Sequence, residues 1–198
     1  MPSRLAGAAL ALSMLTATPP ARGPDAGSRA QASSPPTQEG FRNLVAALSG
    51  DWVLAIRYEP SEQGASPSES RGSVRWSTAV DAQVLLEDEH LPLGKTDLRL
   101  LGLIWWDDKN KALAGMLCSS RSPRTCDPKA SLDDIRLDWD GSRLLIEEIE
   151  HQRDGSTLLF RESYGEITPR SYLQIGEIGP PTGPFRRVFT VHGTRPRD

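Results

Sequence analysis

Three histidines are the side chains of this 198-residue chain best suited to hold a haem or a metal ion. His192 lies in an alternating segment near the C-terminus, and we interpret it as a surface or packed residue, with ligation as the alternative. His90 and His151 have polar neighbours and no second ligand at a spacing typical of zinc sites. We therefore predict no metal and no haem.

Pairs of acidic residues are the next candidates, for acid–base catalysis or for calcium. Asp107-Asp108 and Asp133-Asp134 fall at predicted turns, where Asp side chains cap backbone groups, and neither pair continues into a calcium-loop spacing. Glu148 and Glu150 share one face of a predicted strand. They would form a polar binding feature on an interior face and a solubilising surface on an exterior one, and the sequence leaves both interpretations open.

Five residues are predicted to contact a ligand inside the fold: Trp76, Phe160, Arg161, Tyr164 and Tyr172. The aromatic side chains are of the type that lines small-molecule cavities, and Arg161 would anchor an anionic head group. The competing interpretation is that the aromatic residues fill a core and that Arg161 lies on the surface.

The sequence contains no nucleophile elbow, phosphate-binding loop or dinucleotide-binding fingerprint. We therefore predict that the protein is not an enzyme, with no catalytic residue and no cofactor. Its formal net charge of −3 argues against a nucleic-acid partner.

The elements that position these residues follow from two periodicities. Apolar residues at Phe41, Leu44, Val45 and Leu48 form the stripe of one short helix. From Trp52 onward the period is two, and Asp-Gly turns at 140–141 and 154–155 mark hairpins. These patterns predict an all-β fold, an antiparallel up-and-down barrel of about eight to ten strands with a short N-terminal helix.

The N-terminus has the pattern of a processing segment. Residues 1–17 carry a basic start and a short apolar run, which predicts a signal peptide with candidate cleavage sites after Ala17 and Ala32. Residues 18–40 predict a disordered linker, and residues 41–198 the barrel domain. The apolar run is too short to span a membrane, so we predict a secreted or periplasmic protein without a stable membrane anchor.

The chain has two cysteines, Cys118 and Cys126, on either side of a short polar segment. In an oxidising compartment such a pair predicts a structural disulfide. A redox pair, the alternative, usually has two intervening residues rather than seven.

The segment Leu48-Ser-Gly-Asp-Trp52, followed by the ordered hairpins, resembles the lipocalin-like (calycin) barrels and, among them, a family of secreted bacterial proteins of unassigned function. The resemblance implies structural roles for Gly50, Trp52 and Arg195, with the basic side chain packed over the indole. Trp52 is followed by Val-Leu-Ala, so the extended glycine pattern of the haem-binding nitrobindin-like barrels is absent.

Two functions follow from this fold. A barrel of this size can hold one small, mostly apolar molecule, and a non-catalytic binding role is our first hypothesis. The alternative is a structural or interaction domain of the cell envelope whose barrel is filled by its own side chains.

Overall fold

The computed structural model describes residues 36–60, 66–93, 96–120, 126–152 and 154–197. The predicted signal peptide and residues 18–35 of the predicted linker lie outside these ranges. The elements within them, in chain order, are α1 (Gln38–Leu48), β1 (Gly50–Tyr58), β2 (Ser68–Ala79), β3 (Val84–Leu93), β4 (Thr96–Asp107), β5 (Ala112–Ser119), α2 (Pro128–Asp134), β6 (Ile135–Trp139), β7 (Leu144–His151), β8 (Thr157–Gly165), β9 (Ser171–Gly179) and β10 (Arg186–Thr194).

The ten strands form one antiparallel sheet in the order β5-β4-β3-β2-β1-β10-β9-β8-β7-β6. The first and last strands pair along their length, from Val53 with Thr194 to Tyr58 with Phe189. The two edge strands, β5 and β6, approach each other, and the side chain of Leu137 packs over Gly115. The sheet is therefore a nearly closed barrel, which confirms the predicted fold class.

Helix α1 begins three residues earlier than the apolar stripe suggested. The Thr37 hydroxyl accepts a hydrogen bond from the Gly40 amide and caps the helix N-terminus. The predicted linker therefore extends too far, because residues 38–40 belong to the helix. Phe41, Leu44 and Leu48 are buried at one end of the barrel.

One other local prediction needs correction. Asp133 and Asp134 end helix α2 rather than lie in a turn; Asp127 caps this helix, and Pro128 occupies its first turn. The Asp-Pro pair is a helix-start signal that the hairpin pattern around it had obscured.

Inward-facing side chains fill the α1 end of the barrel with aromatic rings. Trp52 packs edge-on against Tyr172, and Trp76 packs edge-on against Tyr164. Tyr172 has room because its ring lies over Gly193 of the neighbouring strand. Within the described ranges, neither helix has the length and apolar character that a membrane span requires.

Candidate functional site

The α1 end of the barrel is closed by contacts around Trp52. Its indole Nε1 donates a hydrogen bond to the carbonyl of Leu48 at 2.7 Å and so ties β1 to the end of the helix. The Arg195 guanidinium lies over the same indole, 4.1 Å from the ring centroid, and its Nε donates to the carbonyl of Pro169. Gly50 has a φ of +123°, and any side chain there would overlap Arg195.

The opposite end of the barrel contains a cavity of about 710 Å³. Its walls are apolar side chains of seven strands, and the α2 residues Ala130, Ser131 and Asp134 lie beside it. The apolar wall residues are Ile56, Leu91, Leu98, Leu100, Leu117, Ile135, Phe160, Phe189 and Val191. This volume lies within the range of about 300–1,000 Å³ that is usual for small-molecule sites.

The cavity and the layer beneath it hold carboxyl groups from three strands. Glu87 and Glu89 come from β3, Glu148 and Glu150 from β7, and Glu162 from β8. All except Glu87 line the cavity, and Glu87 lies fully within the protein at 7% exposure. The two interpretations of the β7 pair are thereby resolved, because the face carrying Glu148 and Glu150 is the interior one.

A hydrogen-bonded chain runs from the cavity wall to the deepest carboxyl group. The Gln174 side-chain amide donates to the Tyr164 hydroxyl at 2.9 Å, and that hydroxyl donates to Glu87 at 3.2 Å. The same amide lies 3.4 Å from Glu162. Glu87 fits here because its partner across the sheet is Gly102, where a Cβ would lie 2.6 Å from the carboxylate.

Burial alters the protonation of these groups, since a carboxylate removed from water is destabilised relative to its neutral form. Loss of solvation, reinforced by the neighbouring Glu162, raises the pKa of Glu87 to about 8. Burial, reinforced by Glu148, raises the pKa of Glu162 to about 7. Burial also raises the pKa of Glu89 well above its ordinary value, and that of Glu148 to a lesser degree.

No Lys or Arg is among the described residues that line the cavity. Arg161 was a candidate ligand contact with surface placement as the alternative, and the surface placement is the one observed. Its guanidinium lies on the outer face of β8, bonded to Glu147 at 2.7 Å and stacked 4.2 Å from the Phe185 ring centroid. The strand alternates, so its neighbours Phe160 and Glu162 face inward instead.

The other four predicted ligand contacts all face the barrel interior, but they lie at different positions along the barrel axis. Phe160 lines the cavity. Trp76, Tyr164 and Tyr172 point inward but lie in the packed layer between the cavity and α1, outside the cavity walls. Alternation along a strand predicts the face of a residue, but it carries no information on how far along the barrel axis the residue lies.

The interior carboxyl groups were missed, although the sequence contained a signal for them. Glu87 and Glu89 have the same parity as Leu85 and Leu91, which are typical interior residues. Glu162 likewise lies between Phe160 and Tyr164 in one register. A Glu that interrupts an otherwise apolar register is therefore the pattern that would have found this site.

The remaining candidates lie away from the cavity or at its mouth. His192 is exposed on the outer face of β10, and His90 bonds to Asp97 at 3.0 Å. His151 lies at the mouth of the cavity, bonded to Asp134 at 3.1 Å.

The acidic side chain of Asp107 serves its own turn, where it accepts hydrogen bonds from the backbone amides of Lys109 and Asn110. No cluster of three or more His, Cys, Asp or Glu suited to a metal ion occurs in the described part of the chain.

Cys118 and Cys126 are disulfide-bonded, with their Cα atoms 4.5 Å apart. The bond joins the end of β5 to the residue before the Asp127 cap of α2. It therefore holds α2 beside the cavity.

Comparison with known proteins identifies the fold and no family. No protein-family model and no curated protein matches the chain. Solved structures, in contrast, match the fold of the chain. Rv2717c from M. tuberculosis has a TM-score of 0.50 and 10% identity, over 81% of this chain and 99% of that one. The S-type phycobiliprotein lyase CPES from Guillardia theta has a TM-score of 0.50 and 9% identity, over 81% of this chain and 96% of that one.

At these identities the likeness extends to the fold alone. The chain thus has a lipocalin-like barrel as its fold. Membership of a family of secreted bacterial proteins stays a prediction, because no family model matches the sequence.

Proposed function

We propose that the protein is a non-catalytic binding protein that holds one small molecule in its barrel. The observation that carries this proposal is the cavity of about 710 Å³, with apolar walls and a few polar groups at one side. A barrel filled by its own side chains would leave no such space, so the cavity argues against the structural-domain alternative. The likeness to a phycobiliprotein lyase supports the fold and carries no activity to this chain.

The cavity differs in one respect from the mostly apolar pocket that the sequence suggested. Buried carboxyl groups occupy one part of its wall, so the ligand has both an apolar body and a polar group. The proposed ligand is therefore amphipathic rather than simply hydrophobic.

A pair of adjacent residues on β4 allows a matched test. Leu100 lines the cavity, whereas Leu101 is 44% exposed on the outer face. We expect the neutral dye Nile red to bind the wild-type protein with one-to-one stoichiometry and a blue-shifted emission. Leu100→Trp fills the cavity and should abolish that signal, and Leu101→Trp should keep it. Equal binding by both variants, or no binding by the wild type, would contradict the proposal.

Export is a second part of the proposal. A disulfide between Cys118 and Cys126 supports an oxidising compartment, as does the signal-like pattern of residues 1–17. Sequencing the N-terminus of the protein recovered outside the cytoplasm would test this, since export predicts a chain that begins after Ala17 or Ala32.

A further inference from the structure

We propose that the molecule held in the cavity is an organic cation, with an ammonium or amidinium group attached to an apolar body. This inference rests on the proposed binding function and specifies the chemistry of its ligand. The argument begins with charge. Four glutamates line the cavity, Glu87 lies beneath them, and the described lining residues include no Lys or Arg that could neutralise them.

Such an arrangement is costly for a folded protein. A buried carboxylate needs a cation or several hydrogen-bond donors because its solvation is lost, and without them it keeps its proton, as the raised pKa values of Glu89 and Glu162 indicate. Within the described ranges, Arg161 pairs with Glu147 on the outer face, and His151 pairs with Asp134 at the cavity mouth. Neither pair includes one of the interior glutamates. A cationic ligand would lower these pKa values and pair with the glutamates in their ionised form.

Two polar groups at the cavity wall add an independent indication. Glu89 lines the cavity at 5% exposure, and burial raises the pKa of its carboxyl group well above the ordinary value. Gln174 is 3% exposed, and its Oε1 has no hydrogen-bond partner. Its Nε2, in contrast, bonds to Tyr164 and so fixes the orientation of the amide. The unsatisfied Oε1 of Gln174 is an acceptor, so a ligand that donates hydrogen bonds would satisfy it and would also bond to an oxygen of Glu89.

The geometry favours an organic cation over a metal ion. No three acidic or imidazole side chains in the described ranges are close enough together to hold a metal. The rest of the wall, formed by residues such as Leu98, Leu100 and Leu117, would contact an apolar body. An ammonium group also donates three hydrogen bonds, enough for Glu89, Glu162 and the Gln174 carbonyl together.

Three probes with one apolar body test this inference: decylamine, decan-1-ol and decanoate, each below its micelle-forming concentration. Isothermal titration calorimetry at pH 7.5 gives each dissociation constant. We expect decylamine to bind at least about tenfold more tightly than decan-1-ol, because a charge-assisted hydrogen bond is worth more than a neutral one. Decanoate should bind most weakly of the three.

The test variant is Glu89→Gln/Glu162→Gln, which keeps the shape of both side chains and removes their charge. We expect it to lose at least about tenfold in affinity for decylamine and less than about twofold for decan-1-ol. The control is Glu177→Gln, because Glu177 lies on the outer face of β9 and does not line the cavity. It should bind all three probes as the wild type does. Circular dichroism verifies that each variant is folded.

The outcomes separate this inference from the proposed function. Tight binding of all three probes with similar affinity, or preference for decanoate, would keep the binding function and overturn the cationic ligand. The same conclusion follows if the double variant keeps its full affinity for decylamine. If none of the probes binds and Nile red does not bind either, both the binding function and the cationic ligand are overturned.

Discussion

The hydroxyl of Tyr164 donates a hydrogen bond to Glu87 across 3.2 Å, although the two residues lie 77 positions apart in the chain. Tyr164 comes from β8 and Glu87 from β3, on opposite sides of the barrel. This bond therefore connects the two halves of the sheet through the interior. It also places a carboxyl group below the cavity, where its ionisation state affects both stability and ligand binding.

Stability should fall as the pH rises from 5 to 8. The pKa values of Glu87 and Glu162, about 8 and about 7, exceed the ordinary value of 4.5 because both groups are buried. The folded protein therefore holds protons that the unfolded chain releases, and the stabilisation present below pH 4.5 is lost as the pH passes through 7 and 8. We expect the Tm of the wild-type protein to be lower at pH 8 than at pH 5.

The variant Glu87→Gln should remove part of this pH dependence. It keeps an acceptor for Tyr164 and carries no ionisable group, so its Tm at pH 8 should exceed that of the wild type. In a domain of this size, a gain of about 1 kcal/mol corresponds to about 2–4 °C. Glu177→Gln, on the outer surface, should have the wild-type Tm at both pH 5 and pH 8. A wild-type Tm that rises from pH 5 to pH 8 would contradict the buried position of these groups.

Gly102→Ala should destabilise the protein by about 1–3 kcal/mol. The added Cβ would lie 2.6 Å from the Glu87 carboxylate and 3.1 Å from its Cβ, so Glu87 would have to move and its bond to Tyr164 would weaken. Gly165→Ala is the control, because nothing lies within 4 Å of a Cβ at that position. Urea denaturation compares the two variants. Equal stabilities would show that Glu87 does not occupy the space above Gly102.

Arg195→Ala should lower stability by about 0.5–2 kcal/mol through loss of its cation–π contact with Trp52. The bond from its Nε to the Pro169 carbonyl is lost as well. The control is Arg136→Ala, at an exposed position on β6. Thermal unfolding measures both variants, and an Arg195→Ala protein with wild-type Tm would mean that the contact contributes nothing.

The sequence predicted the helix and the hairpins that are specified by local residue patterns. The stripe Phe41–Leu48 specified α1, and the Asp-Gly turns at 140–141 and 154–155 specified two hairpins. Glycines at positive φ, +95° and +84°, occupy both turns. The interior position of Glu87, Glu89 and Glu162 was not predicted, because a Glu is normally assigned to the solvent-facing side of a strand.

The sequence also did not predict how far along the barrel axis each inward-facing residue lies. Tyr164 and Phe160 share one face of β8, yet Phe160 lines the cavity and Tyr164 lies in the packed layer. Which of them meets a ligand depends on where α1 closes the barrel, and that is a tertiary contact with no trace in the β8 sequence.

The central claim is that a cationic group binds the interior carboxylates, and a crystal structure of the decylamine complex tests it most directly. The quantity to measure is the distance from the amine nitrogen to the carboxylate oxygens of Glu89 and Glu162. We predict a decyl chain between Leu100 and Leu117 and a nitrogen about 2.7–3.2 Å from at least one of those oxygens. A nitrogen that points out of the mouth toward solvent, or a cavity without the amine, would contradict the claim.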